Sequence, residues 1–300
     1  MKTFDLLIDS CGEMPRDMRE AYGVDFIPMY LSTDIKGDIH EFPALIDYDG
    51  EYDFHSFYDL MRKGIRIRTA AVSEAAFEEY FREAVKRGHD VLYLACSSGL
   101  SVSVELAKKV AAKLNTENPE WHGYCLDTLI SGFPIADMAI KADAMRKEGK
   151  DVNEVGEYLD SIKLKYNQFA TVETLTYLKN AGRVTASKAF FGNLFHVKPI
   201  IISDVKGHNV ATVSEKGRRA SLQKIVDLTV EAAENIEEQT IYISHGDDEA
   251  AANFVKEALL KVAKPKDIRV DKCGPIIGAS SGPGLVICYC FGKEVTFAGE

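Results

Sequence analysis

The sequence predicts an α/β fold in two domains: a mainly parallel sheet with helices on both faces over residues 1–165, and a mixed α/β sheet over residues 166–300. Three observations predict it. Residues 91–114, VLYLACSSGLSVSVELAKKVAAKL, read as strand, tight turn and helix. The apolar run Val91–Ala95 passes through Cys96-Ser97-Ser98-Gly99 into Val104, Ala107, Val110, Ala111 and Leu114 at three- and four-residue steps. Short apolar runs and amphipathic stretches then alternate through the first half, the pattern of parallel strands covered by helices. After a charged helix expected over 152–166, hairpin signals enter and the pattern becomes mixed.

In chain order, Phe4–Ile8 reads as a buried strand ending at the polar cluster Asp9-Ser10-Cys11-Gly12, and Pro15–Tyr22 as a short helix. Val24–Leu31 reads as one strand, with Pro28 marking an edge or a bulge. Residues 32–52 are polar and turn-rich, as in a long surface loop. Helices are expected over 53–62 and 74–86, the latter ended by Gly88. Gly123–Asp127 is a further strand followed by hydroxyls at Thr128 and Ser131, and helices follow at about 133–148 and 152–166. In the second half a short strand, Phe169–Val172, and a short helix lead to Ala181-Gly182-Arg183. Pro199–Ser203 and Val210–Ser214 flank a hairpin turn. Helices at 217–234 and 248–263 and strands at 240–244, 267–271 and 285–290 complete the chain.

Composition narrows the function. A formal charge of −10 argues against nucleic acid as a partner. No apolar run is long enough to span a bilayer, so stable membrane insertion is not expected. The opening MKTFDLLIDS does not read as a signal peptide, because Asp5 and Asp9 interrupt its apolar stretch. A cytoplasmic protein is expected. The six cysteines lie far apart, which suggests reduced thiols. Cys288 and Cys290 share a face of one strand, yet nothing near them supplies further metal ligands. No metal or cofactor is expected.

No strong catalytic signature is present: Gly-x-x-x-x-Gly-Lys-Ser, Gly-x-Ser-x-Gly and His-Glu-x-x-His are all missing. Ser97, Ser98 and Ser101 stand where a parallel strand meets a helix N-terminus. They can cap and turn the helix, or they can help hold a carboxylate or phosphate at its unpaired N–H groups. Arg183 can reach an anion or remain solvated. Gly278–Gly284, GASSGPG, is either a plain loop into the last strand or a backbone nest for an anion. His245 ends a strand and reads as structural. The basic stretches Lys63–Arg68 and Lys216–Arg219 read as solvated faces.

Six segments in order resemble one family. Asp9-Ser10-Cys11-Gly12-Glu13-Met14-Pro15 is similar to the Asp-Ser-x-x-Asp-Leu-Pro opening of the DegV family. Thr69-Ala70-Ala71-Val72-Ser73 falls at its Thr-Ser-Gln-Pro-Ser, and Ser97-Ser98-Gly99-Leu100-Ser101 at its Ser-Ser-x-Leu-Ser. Leu175–Val184 resembles Leu-x-Tyr-Leu-x-x-Gly-Gly-Arg-Ile, Val197-Lys198-Pro199-Ile200 follows, and GASSGPG sits at Gly-Ala-His-Thr-Gly-Pro-Gly. The resemblance implies the EDD-type fold and a non-enzymatic carrier. Such a carrier holds one long-chain fatty acid in an apolar tunnel between the domains and presents it to a separate fatty-acid kinase. Carried over, the carboxylate ligands are Thr69 and Ser97 or Ser98, with Arg183 nearby. Ser10, Ser101, Ser280 and Ser281 form a possible outer ring. The chain departs from the family at Ala70, Ala71, Val72, Val102 and Ala181, and Ser280 stands in place of the histidine. A second expectation is an enzyme, a phosphotransferase or hydrolase, acting on a small acid at the same anion site.

Overall fold

The computed structural model describes residues 3–185 and 197–299. Among these, strands assemble into three sheets. β1 (Phe4–Asp9), β2 (Val24–Ile27), β6 (Asp90–Ala95) and β7 (Gly123–Asp127) form a parallel sheet in the order β2-β1-β6-β7. β6 is buried at every position, as a central parallel strand with helices on both faces must be. Helices α3 (Glu74–Arg87) and α4 (Ser103–Glu117) pack together on this sheet, as do α5 (Phe133–Lys147) and α6 (Val152–Ile162). Local signals set their ends. Ser73 Oγ accepts from the Ala76 N–H at the start of α3, and Gly88 closes it at φ 72°. Asp151 and Glu154 form a reciprocal capping box on α6.

β3 (Tyr30–Ile35), β4 (Asp38–Pro43) and β5 (Ile67–Ala70) make a small antiparallel sheet, ordered β4-β3-β5, with α2 (Phe54–Arg62) following the hairpin. Two expectations are corrected here. The run Val24–Leu31 is two strands in two sheets, because Pro28 has no N–H for a ladder and breaks the pairing. The expected loop over 32–52 contains the β3–β4 hairpin, turning at Lys36 (φ 58°) and Gly37 (φ 88°). The hairpin escapes periodicity because β4 is exposed at all positions except Phe42.

The third sheet has the order β10-β9-β8-β13-β11-β12, from β8 (Tyr166–Thr171), β9 (Val197–Ser203), β10 (Asn209–Lys216), β11 (Thr240–His245), β12 (Asp267–Lys272) and β13 (Val286–Phe291). Only β11 and β12 pair in parallel, so the sheet is mixed. All its strands follow residue 165, and those of the other sheets precede it. One face packs on α8 (Arg218–Ala232) and α9 (Glu249–Val262), enclosing Val286, Cys288 and Cys290. The intervening Ile287 and Tyr289 join the larger core shared with the first half, as strand alternation requires. Cys288 and Cys290 therefore do share a face. Two short helices, α7 (Thr176–Ala181) and α10 (Pro275–Ser281), pack on each other, and α10 also reaches β5.

Candidate functional site

The site is built on the loops that leave β1 and β6, two neighbouring parallel strands, where open α/β sheets bind ligands. The loop after β1 is tied down throughout. Asp9 is fully buried and accepts from Tyr93 Oη (2.6 Å), the Cys11 N–H (2.9 Å) and the Cys96 N–H (3.2 Å). Burial pushes its carboxyl above the ordinary value, against the pull of these bonds. Ser10 Oγ donates to the Ala44 carbonyl and accepts from the Met29 N–H, both at 2.8 Å, which fixes the entry to β3. Glu13 (φ 39°) accepts from the Gly274 N–H at 2.7 Å, so it caps α10 from the other half of the chain. Tyr289 Oη donates to its second oxygen at 3.4 Å. Desolvation raises the Glu13 carboxyl to about 7.

The loop after β6 divides its serines. Ser97 is fully buried. Its Oγ donates to the Gly207 carbonyl (2.8 Å) and accepts from the Gly99 N–H (3.1 Å), clasping the β9–β10 turn to the first half. Gly207 sits at φ +74°, and a Cβ there would lie 2.0 Å from Ser97 Oγ, so the clasp requires glycine. Ser98 is anchored only through its backbone, whose N–H donates to Asp127 Oδ1 (3.0 Å). Its hydroxyl is left exposed toward a cavity of about 380 Å³. Ser101 bonds Ser103 Oγ at 2.9 Å on the rim of the same cavity.

Thr69 on β5, Ser98, Ser101, Arg183, Ser280 and Ser281 all line this cavity, together with Cys11, Met29, Cys96, Leu100 and Ile276. Thr69, Arg183 and Ser280 also line a second cavity of about 570 Å³, walled by α7, the approach to β5 and the end of α10. The structure thus brings together six of the eight expected residues. It leaves out Ser97 and Ser10, whose hydroxyls are spent on backbone groups. Arg183 is exposed, with Nε donating to the Leu100 carbonyl (3.4 Å) and Nη1 to the Ala181 carbonyl (2.5 Å).

GASSGPG is neither a plain loop nor a nest. Its first four residues finish α10. The Gly282 N–H donates to the Gly278 carbonyl and the Gly284 N–H to the Gly246 carbonyl, both within 2.8 Å. Ser131 also lines the smaller cavity. It was legible only as one more hydroxyl beyond a strand end, and no spacing marked it. His245 serves packing: its Nδ1 accepts from the Asp248 N–H, its ring meets Phe54 edge-on, and burial lowers its basicity. Among the described residues no cluster of three His, Cys, Asp or Glu is placed to hold a metal. No described helix is long and apolar enough to cross a membrane.

A sequence profile for an uncharacterised protein family, DegV, matches residues 3–291. A DegV domain-containing protein of Clostridium perfringens is 29% identical over 294 residues, covering 97% of this chain and 98% of the relative. The fold is similar to that of a fatty-acid-binding DegV family protein from Thermus thermophilus, with a TM-score of 0.83 and 24% identity over 97% of this chain and 100% of that one. A DegV family protein from Eubacterium eligens, solved loaded with heptadecanoic acid, aligns with a TM-score of 0.80 and 23% identity over 97% and 100% of the two chains. With its mixed and parallel sheets and its ordered motifs matched across nearly the whole length, the chain belongs to the DegV family.

Proposed function

We propose that this protein binds one long-chain fatty acid between its two domains, 1–165 and 166–300, with the carboxylate held by the hydroxyls of Thr69 and Ser98. The observation that carries the reading is the smaller cavity. It combines apolar walls with the hydroxyls of Thr69 and Ser98, for which no hydrogen bond to a described residue is present, and its lining comes from both halves of the chain. The relatives solved with fatty acids give the ligand class. Ser98 replaces Ser97 in this role, because Ser97 already holds the Gly207 turn. Arg183 stands at the junction of the two cavities.

The energetics suit a carrier. Burying an acyl chain at about 0.8 kcal/mol per CH₂ supplies on the order of 10 kcal/mol. Each hydrogen bond to the charged carboxylate adds roughly 1.5–3 kcal/mol. Affinity then comes from the chain and position from the hydroxyls. Neutral ligands leave the carboxylate charged and nucleophilic, as presentation to a separate kinase requires. Among the described residues, none lining either cavity is Asp, Glu, His or Lys, the side chains most often used as general bases near neutral pH. That favours a carrier over a phosphotransferase or hydrolase. Six free thiols accord with a cytoplasmic setting.

The test is to denature the purified protein, extract it and identify the lipid by mass spectrometry. A stoichiometric long-chain fatty acid is expected. No lipid in the extract, together with no uptake of added oleate, overturns the reading.

A further inference from the structure

Three sulfurs meet where the loops after β1 and β6 approach the start of β3. Cys11, Cys96 and Met29 all line the 380 Å³ cavity. Cys11 Sγ donates to Met29 Sδ at 3.6 Å. Both cysteines hang from one carboxylate: Asp9 Oδ1 accepts from the Cys11 N–H (2.9 Å) and Asp9 Oδ2 from the Cys96 N–H (3.2 Å). Ser10 Oγ accepts from the Met29 N–H at 2.8 Å, so the same loop also fixes the third sulfur. The foremost cause holding the Cys11 thiol well above its ordinary pKa is its hydrogen bond with the Cys96 thiol, ahead of burial. Both cysteines are free.

A buried cysteine is usually a small hydrophobe, as Cys288 and Cys290 are in the core behind β13. Cys11 and Cys96 differ, because they border a cavity and a thioether stands against one of them. Three sulfurs bound to one ion at about 2.3 Å stand about 4 Å apart, close to the 3.6 Å between Cys11 and Met29. Two thiols and a thioether are a soft donor set, the kind that selects Cu(I). The thioether supplies the third donor that His, Cys, Asp and Glu do not supply among the described residues. None of the described residues lining this cavity is Asp, Glu or His, so nothing there completes the harder ligand set of a divalent zinc or magnesium ion.

We propose that Cys11, Cys96 and Met29 form a three-coordinate site for a soft monovalent cation, Cu(I), in the wall of the smaller cavity. Binding breaks two S–H bonds and forms three metal–sulfur bonds. The two protons leave to solvent, no electron moves, and the complex carries one negative charge. The site requires only the two loops and the cavity, so it stands apart from the lipid-binding reading and fails or survives without it.

Titration of the reduced, delipidated full-length protein with Cu(I) under argon, against bicinchoninate as the competing chelator, tests it. Wild type is expected to withhold one Cu(I) per chain from the chelator. Cys11→Ser and Cys96→Ser are each expected to weaken Cu(I) by about a hundredfold or more, one thiolate ligand. Met29→Leu keeps the volume of the side chain and is expected to weaken Cu(I) by about tenfold, since a thioether is the weaker donor. If wild type withholds no Cu(I), the proposal is overturned. Full affinity in both serine variants overturns it too, because the metal would then sit on Cys125, Cys273, Cys288 or Cys290. Melting temperatures show whether the variants fold. Where a serine variant does not, Met29→Leu and copper X-ray absorption of the loaded wild type decide. Three sulfur neighbours are expected in the absorption spectrum, and nitrogen or oxygen neighbours in their place overturn the site.

Discussion

The loops after β1 and β6 look alike in sequence and do opposite work. Both leave adjacent parallel strands, and both pass through serine and cysteine to glycine within four residues. In the first, Asp9, Ser10 and Glu13 each bond groups far away in the chain, and none of the three lines either cavity. In the second, Ser97 is committed in the same way while Ser98 keeps its hydroxyl for the cavity. A hydroxyl beyond a strand end is therefore not yet a site. What separates scaffold from ligand contact is whether the protein itself has already satisfied the group.

The comparison breaks first at Asp9. Asp9→Ala leaves the Tyr93 hydroxyl and two backbone N–H groups buried without an acceptor. Each orphaned donor costs about 1–3 kcal/mol, so urea denaturation is expected to show a loss of about 3–5 kcal/mol. A loss under about 1 kcal/mol would mean that the first loop is not the rigid one.

Glu13 comes next, through pH. Its folded pKa of about 7 lies above the ordinary 4.5. Below pH 4.5 it is protonated in both states and costs nothing. As pH rises from 4.5 to about 7 the unfolded chain ionises first, so stability falls, and above pH 7 the loss is complete. The full swing is about 3 kcal/mol, with Asp9 acting in the same direction. Glu13→Gln keeps an acceptor for Gly274 and removes the titration. Its stability relative to wild type is expected to rise between pH 5 and pH 8 by up to that amount. Parallel stability curves for the two proteins across this range would remove Glu13 as the titrating group.

The strands and long helices were legible because burial on two faces leaves continuous apolar runs, as in Val91–Ala95, and because Gly88 marks a helix end locally. The β3–β4 hairpin was not, since a largely exposed strand carries no alternation to read. Helix α10 was hidden for a different reason. It contains Gly278, and its N-terminal N–H is capped by Glu13, 261 residues away. The candidate site divides in the same way. Residue types at strand ends pointed to the loops beside the smaller cavity, and family resemblance pointed to Thr69, to Ser97 or Ser98, and to Arg183. Which serine is free depends on Gly207. That partner lies 110 residues from Ser97, beyond any local pattern.

Neighbouring serines give the smallest and sharpest contrast. Ser97→Ala removes the donor to the Gly207 carbonyl and the acceptor for the Gly99 N–H. It should lower stability by about 2 kcal/mol and change fatty-acid affinity less than about twofold. Ser98→Ala removes a hydroxyl that bonds no described residue, so stability should stay within about 0.5 kcal/mol. Fatty-acid affinity should fall about tenfold, one charge-assisted hydrogen bond. Thr69→Ala should behave like Ser98→Ala, because its hydroxyl reaches the same cavity from β5. The double variant should depart from the product of the two factors, since both hydroxyls act on one carboxylate and share that partner. Melting temperature and oleate titration read both quantities on the same samples. Were Ser97→Ala to abolish binding at unchanged stability, the roles of the two serines would be exchanged, and the clasp on Gly207 would be a contact that ligand entry displaces.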